Sequence, residues 1–106
     1  MSMTILTGPD ATGLGDALTA LDVEVVRIDG VTTREKLLEA GIEAADTLVL
    51  TDVRDATAIA VAKEDNPDVR VVVYAEDTLP EFARGQADIA VDPALLGPDV
   101  VAEELA

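Results

Sequence analysis

The sequence predicts a single α/β domain, residues 1–106, built on a five-stranded parallel sheet with helices on both faces. Three observations carry that expectation. Short apolar runs alternate with helix-periodic segments along all 106 residues. The third run, Thr47–Leu50, is nearly all apolar, as a strand covered on both faces must be. Turn-forming Gly, Pro, Asn and Asp mark the junctions, with no linker, low-complexity stretch or repeat between them. The length suits one hydrophobic core and is too short for two.

The elements follow in order. Met3–Leu6 is a first strand, closed by Thr7-Gly8-Pro9-Asp10. Leu14, Ala17, Leu18 and Leu21 then fall on one helix face. Val23–Ile28 is a second strand, ended by Asp29-Gly30. Thr32 and Glu35 have capping-box spacing ahead of a helix through Leu37, Leu38 and Ala40, which Gly41 stops. After the third strand, an alanine-rich helix runs from Ala56 to Lys63 and is stopped by Asn66-Pro67. Val69–Tyr74 is a fourth strand. Thr78 and Glu81 repeat the capping-box spacing before a short helix ending at Gly85. Ile89–Val91 is a fifth strand. Asp92-Pro93 then opens a last helical stretch, interrupted at Gly97-Pro98 and resuming through Leu105. Alternation of this kind, with right-handed crossovers, predicts a three-layer Rossmann/flavodoxin-like domain of strand order 2-1-3-4-5.

Composition narrows the function classes. Asp and Glu total 22 against 7 Lys and Arg, a formal charge of −15 without any histidine. So negative a domain repels phosphate backbones, which argues against nucleic acid as a partner. The only aromatic residues are Tyr74 and Phe82, so there is no stacking platform for single strands either. No acidic run exceeds two residues, and Lys36 and Lys63 are the only lysines. Dispersed acid with little lysine resembles the make-up of proteins from extreme halophiles, where molar salt shortens the Debye length to roughly 3 Å and screens self-repulsion. With neither Cys nor His, disulfides, thiolate zinc sites and Ser-His or Cys-His catalysis are excluded. No run approaches the ~20 apolar residues of a membrane span, and the strand-like run at the start is expected to open the chain without a signal peptide. The expectation is a cytoplasmic protein without membrane insertion.

Open parallel sheets bind ligands beyond the carboxyl ends of their strands. The first such loop reads Gly8-Pro9-Asp10-Ala11-Thr12-Gly13. Its outer glycines keep the spacing of the dinucleotide fingerprint G-x-G-x-x-G, and Asp29 stands where a ribose-binding acid would follow. Asp10 replaces the middle glycine. It puts a Cβ and a negative charge where a pyrophosphate needs bare backbone, and like charges ~4 Å apart cost about 4 kcal/mol at a protein-surface dielectric. Pro9 removes one N–H from the cradle. Asp10 is instead suited to cap the helix that follows. Candidate binding residues are therefore Gly8, Asp10, Gly13, Asp29, Thr51 and Asp52; no catalytic or metal-ligating set is assigned. Asp10, Asp29, Asp52, Asp55, Glu76, Asp77 and Asp92 all fall at strand ends, where carboxylates serve as helix caps more often than as oxygen ligands of a hard cation. Arg54 is expected to pair with one of them. Tyr74 is expected in the core with its hydroxyl at the crevice rim.

From Leu37 onward the chain resembles the nucleotide-binding half of TrkA/RCK domains, in a shortened form of haloarchaeal type. The stretches that carry the likeness are 38–46 (LEAGIEAAD), 49–52 (VLTD), 66–72 (NPDVRVV) and 86–93 (QADIAVDP), with Gly8, Gly13 and Asp29 matching the opening unit. The resemblance implies binding of NAD(H) or ATP and regulation of potassium transport. Two departures weaken that implication: Gly30–Lys36 stands where the family has a further helix and strand, and the first loop carries Asp10. A second likeness is to response-regulator receiver domains, with Asp52 after the third strand in the phosphoacceptor position. Receivers need paired acids ending the first strand and a lysine before the fifth-strand proline; here Thr7-Gly8 and Asp92 stand there. The expectation is a non-catalytic regulatory or binding module with a degenerate dinucleotide loop, acting through a nucleotide, a protein partner or self-association. A degenerate receiver-like adaptor is the alternative.

Overall fold

The computed structural model describes residues 2–106. Five parallel strands, β1 (Met3–Thr7), β2 (Glu24–Ile28), β3 (Thr47–Leu50), β4 (Arg70–Tyr74) and β5 (Ile89–Val91), form one sheet in the order β2-β1-β3-β4-β5. Among the described residues five α-helices connect or follow them, α1 (Leu14–Ala20), α2 (Arg34–Ala40), α3 (Thr57–Asp65), α4 (Glu81–Arg84) and α5 (Pro98–Leu105), with short 3-10 turns at Ile42–Ala44 and Val53–Asp55. This is the α/β Rossmann/flavodoxin-like architecture that the alternation predicts.

Strand alternation divides the core into two. Ile5, Leu48, Leu50, Val71 and Val73 point to one face and pack with Leu37, Ile42, Ile59, Ala62 and Ala83 under α2, α3 and α4. Leu6, Val49, Val72 and Tyr74 point to the other and pack with Leu14, Leu18, Val101, Ala102 and Leu105 of α1 and α5. The central strands β1, β3 and β4 are apolar on both faces because both are covered. Each fully buried Leu, Ile or Val contributes roughly 1.5–3 kcal/mol relative to exposure, so aliphatic residues supply the core almost unaided.

Several boundaries differ from the local reading, each for a physical reason. Thr33, one residue later than Thr32, caps α2 by accepting the Lys36 N–H at 3.2 Å, while Thr32 is buried. Gly41 does end α2, in the left-handed region at φ 93°. Asn66 does more than stop α3. Its side-chain amide donates to the Ile42 and Ala45 carbonyls at 2.8 and 2.9 Å, pinning the loop that leads into β3. Thr78 does not cap α4, which begins after Pro80 without a side-chain cap. Asp92 accepts the Ala94 N–H at 2.8 Å and makes a turn, not a helix. Gly97-Pro98 therefore opens α5 instead of interrupting it; proline fits a first helical turn because its missing N–H would have no partner there.

Candidate functional site

The β1–α1 loop is built by residues that need unusual backbone. Gly8 lies at φ 90°, Asp10 at φ 49° and Gly13 at φ 82°. A Cβ on Gly8 would overlap the Thr51 hydroxyl and come within 3.2 Å of the Asp52 backbone N, so close approach to the β3 end also requires glycine. Thr51 ties the two strand ends together. Its hydroxyl donates to the Thr7 carbonyl at 2.7 Å and accepts the Asp10 N–H at 3.2 Å.

Asp10 is turned inward beneath the start of α1, its side chain only 4% exposed. One carboxylate oxygen accepts the Leu14 N–H at 2.9 Å and the other the Gly15 N–H at 3.0 Å. The second oxygen also receives the Arg27 guanidinium at 2.9 Å. The carboxylate thus takes up two of the free N–H groups of the first helical turn, the groups that would otherwise meet an anionic ligand. Arg27 balances its charge from β2, where the register sets it beside Leu6. Gly15 leaves room for that guanidinium. Sequence reading missed Arg27 as a partner. The available signal was strand register: in a parallel pair, a residue two before Asp29 falls next to the end of β1.

Beyond the strand ends, Pro9 and the Asp52–Arg54 pair separate two shallow crevices. One, of 430 Å³, lies between Pro9, Ala11 and Thr12, Thr51–Arg54 and Tyr74–Asp77, with Pro93 at its side. The other, of 520 Å³, is lined by Gly8, Asp29, Gly30, Asp52 and Asp55 among others. The six candidate residues are thus distributed: Gly8, Asp29 and Asp52 share the second crevice, Thr51 and Asp52 the first, and Asp10 and Gly13 line neither.

Arg54 does pair with a carboxylate. Asp52 accepts its backbone N–H at 2.9 Å and its guanidinium at 2.6 Å. Those hydrogen bonds hold the Asp52 carboxyl below its ordinary range and raise the guanidinium above its own. Tyr74 is buried with its hydroxyl donating to the Leu96 carbonyl at 2.7 Å; burial raises its pKa, and the nearby Asp10 charge adds to the effect. Among the described residues, the strand-end acids do not converge into a group of three able to hold a metal ion, and no helix is long and apolar enough to cross a membrane.

Fold and loop together define a doubly wound α/β domain whose β1–α1 loop is closed by the side chain of Asp10. The chain belongs to a family of unknown function, DUF7126, whose model matches residues 4–105. No curated protein matches the sequence. Among solved structures, it is similar to a CheY-like protein, tadZ, from Pseudomonas aeruginosa PAO1, at 16% identity and TM-score 0.70 over 98% of this chain and 97% of that one. The TrkA-N domain of the inner membrane protein ybaL from Escherichia coli is similar at 21% identity and TM-score 0.69, over 98% of this chain and 94% of that one. An orphan response regulator of H. pylori follows at 16% identity and TM-score 0.67, over 98% and 93%. At such identities the likeness is one of fold. It embraces TrkA-N and receiver-like domains equally.

Proposed function

We propose that this domain is a non-catalytic regulatory module that works through protein contact, with its dinucleotide loop closed by Asp10. The observation that carries the reading is the placement of the Asp10 carboxylate on the Leu14 and Gly15 N–H groups, neutralised by Arg27. A dinucleotide pyrophosphate would have to displace a buried, charge-balanced carboxylate from the same donors. The likeness to TrkA-N domains suggests regulation of ion transport as the setting. Dispersed acidic charge supports a cytoplasm of high salt. The closed loop equally suits a receiver-like adaptor, because Thr7-Gly8 supplies no acid pair beside Asp52.

Titration with NADH and with ATP in molar KCl tests the reading, followed by amide resonances of Gly8–Gly13, Asp29, Thr51 and Asp52. The expected result is no shift up to millimolar ligand and no hydrolysis of ATP. Saturable shifts confined to the Gly8–Gly13 loop would establish a nucleotide sensor and overturn the proposal.

A further inference from the structure

The two edges of the sheet are unlike. β2, at one edge, carries Glu24 and Arg27, both exposed, and charged side chains of this kind discourage edge-to-edge pairing. β5, at the other, reads Ile89-Ala90-Val91 and has no charge, proline or bulge to guard it; only its shortness does so. Ile89 and Ala90 are both exposed. The acid just before the strand, Asp88, is directed back into the fold, accepting the Val71 N–H at 2.8 Å and the Lys63 ammonium at 2.9 Å.

The unguarded edge continues into exposed apolar surface. Ile89 is 37% exposed, Leu95 80%, Leu96 43% and Val100 49%, all within the strand, the following turn and the first turn of α5. Ile89 is in register with Val72, whose side chain packs under α5, so it lies on the sheet face that α5 covers. Helix geometry sets Val100 on the flank of α5 away from α1, because Asp99 and Glu103 line the α1 side. Residues 93–98 contain no charge in a chain that carries −15. Together these side chains leave on the order of 400 Å² of apolar surface, within the range of the largest patch on a soluble monomer, a patch that is often functional. A standard interface takes about 800 Å² from each partner, so this patch would form roughly the apolar half of one.

We infer that the β5 edge and the Ile89–Val100 flank form a two-fold interface with a second copy of this chain, the two sheets joined strand to strand. A second copy is the occupant that fits because the surface is its own complement: an unpaired strand edge meets an unpaired edge, and apolar side chains meet the same side chains. An anionic membrane is disfavoured, since the charges that adjoin the patch in sequence, Asp88, Asp92 and Asp99, are acidic, while the basic groups beside the edge are engaged, Lys63 with Asp88 and Arg84 with the Leu79 carbonyl. Two domains of −15 approach closely only when screened, so the association belongs to molar salt. This inference does not depend on whether the β1–α1 loop takes a nucleotide.

Sedimentation equilibrium of the full chain in molar KCl, up to ~100 µM protein, is the test, because a weak homodimer is populated by mass action. The wild-type chain is expected to be dimeric. Ile89→Lys and Leu95→Lys should each weaken the dimer by about tenfold or more while retaining the wild-type circular dichroism spectrum. Val31→Lys, at an exposed position in the β2–α2 loop, should leave the dimer unchanged. A wild-type chain that stays monomeric throughout overturns the inference, as does a dimer that both β5-flank variants preserve. If either lysine variant unfolds, Ile89→Thr, which keeps the strand and removes apolar surface, gives the same reading.

Discussion

Replacing Asp10 with alanine strips the start of α1 of an acceptor for two backbone N–H groups, those of Leu14 and Gly15. Loss of a helix cap costs about 1 kcal/mol, and more where the acceptor is charged and buried. The Arg27 contact adds little, under about 1 kcal/mol, because half of the Arg27 side chain is in solvent. Alanine at φ 49° adds about 1 kcal/mol of backbone strain that aspartate bears more easily. The sum is about 3 kcal/mol. For a domain of this size that lowers the melting temperature by roughly 12–20 °C. Asp10→Gly should cost less, about 2 kcal/mol, because glycine accepts the positive φ. Asp10→Asn should be milder still: one oxygen keeps its acceptor role while the amide nitrogen faces Gly15 N–H or Arg27. Urea and thermal denaturation in molar KCl, followed by circular dichroism, give the ranking Ala worst, then Gly, then Asn. An Asp10→Ala variant within about 0.5 kcal/mol of wild type would refute the assignment of this carboxylate as the cap that closes the loop.

Three further outcomes are expected. Gly8→Ala should destabilise by about 2–3 kcal/mol, since its Cβ meets a Thr51 hydroxyl fixed to the Thr7 carbonyl and its φ is positive. Gly15→Ala meets the Arg27 guanidinium, a flexible side-chain end whose half-exposed contact with Asp10 is worth under about 1 kcal/mol, and should stay within about 1 kcal/mol of wild type; urea midpoints in the reverse order would contradict the loop geometry. The Asp88 carboxyl is held below its ordinary range, first by the Val71 N–H and then by Lys63. Its contribution is therefore present above about pH 4, the unfolded value, and is lost as pH falls through the lower folded value. Asp88→Asn should be less stable than wild type at neutral pH and show a flatter acid limb; superimposable acid limbs would remove Asp88 from the account. Raising KCl from dilute to molar should raise the melting temperature markedly, as the Debye length shrinks from about 10 to about 3 Å around a chain of charge −15. A flat salt response would count against adaptation to high salt.

Much of the architecture was legible because it is written in local periodicity. The apolar run Thr47–Leu50 announces a doubly covered strand, and Leu14, Ala17, Leu18 and Leu21 announce a helix face, whatever surrounds them. Single-residue boundaries were less legible. Thr32 and Thr33 are equally good caps by residue type, and burial of Thr32 decides for Thr33. Asp92-Pro93 reads as a helix start and Gly97-Pro98 as an interruption, yet a helix follows only the second.

The amino-acid sequence by itself determined the sheet of five strands, its two apolar faces and the presence of a carboxylate in the middle of the Gly8–Gly13 loop. These depend on side-chain spacing and the chemistry of one residue, which no long-range contact alters. Only the tertiary structure decided what Asp10 does with its charge. The partner that neutralises it, Arg27, is 17 positions away on the neighbouring strand, and Thr51, 41 positions away, holds its backbone. The same holds for Asn66 on the Ile42 and Ala45 carbonyls and for the unguarded edge of β5: who sits beside whom is set by strand register and packing, and those are properties of the whole chain folded at once.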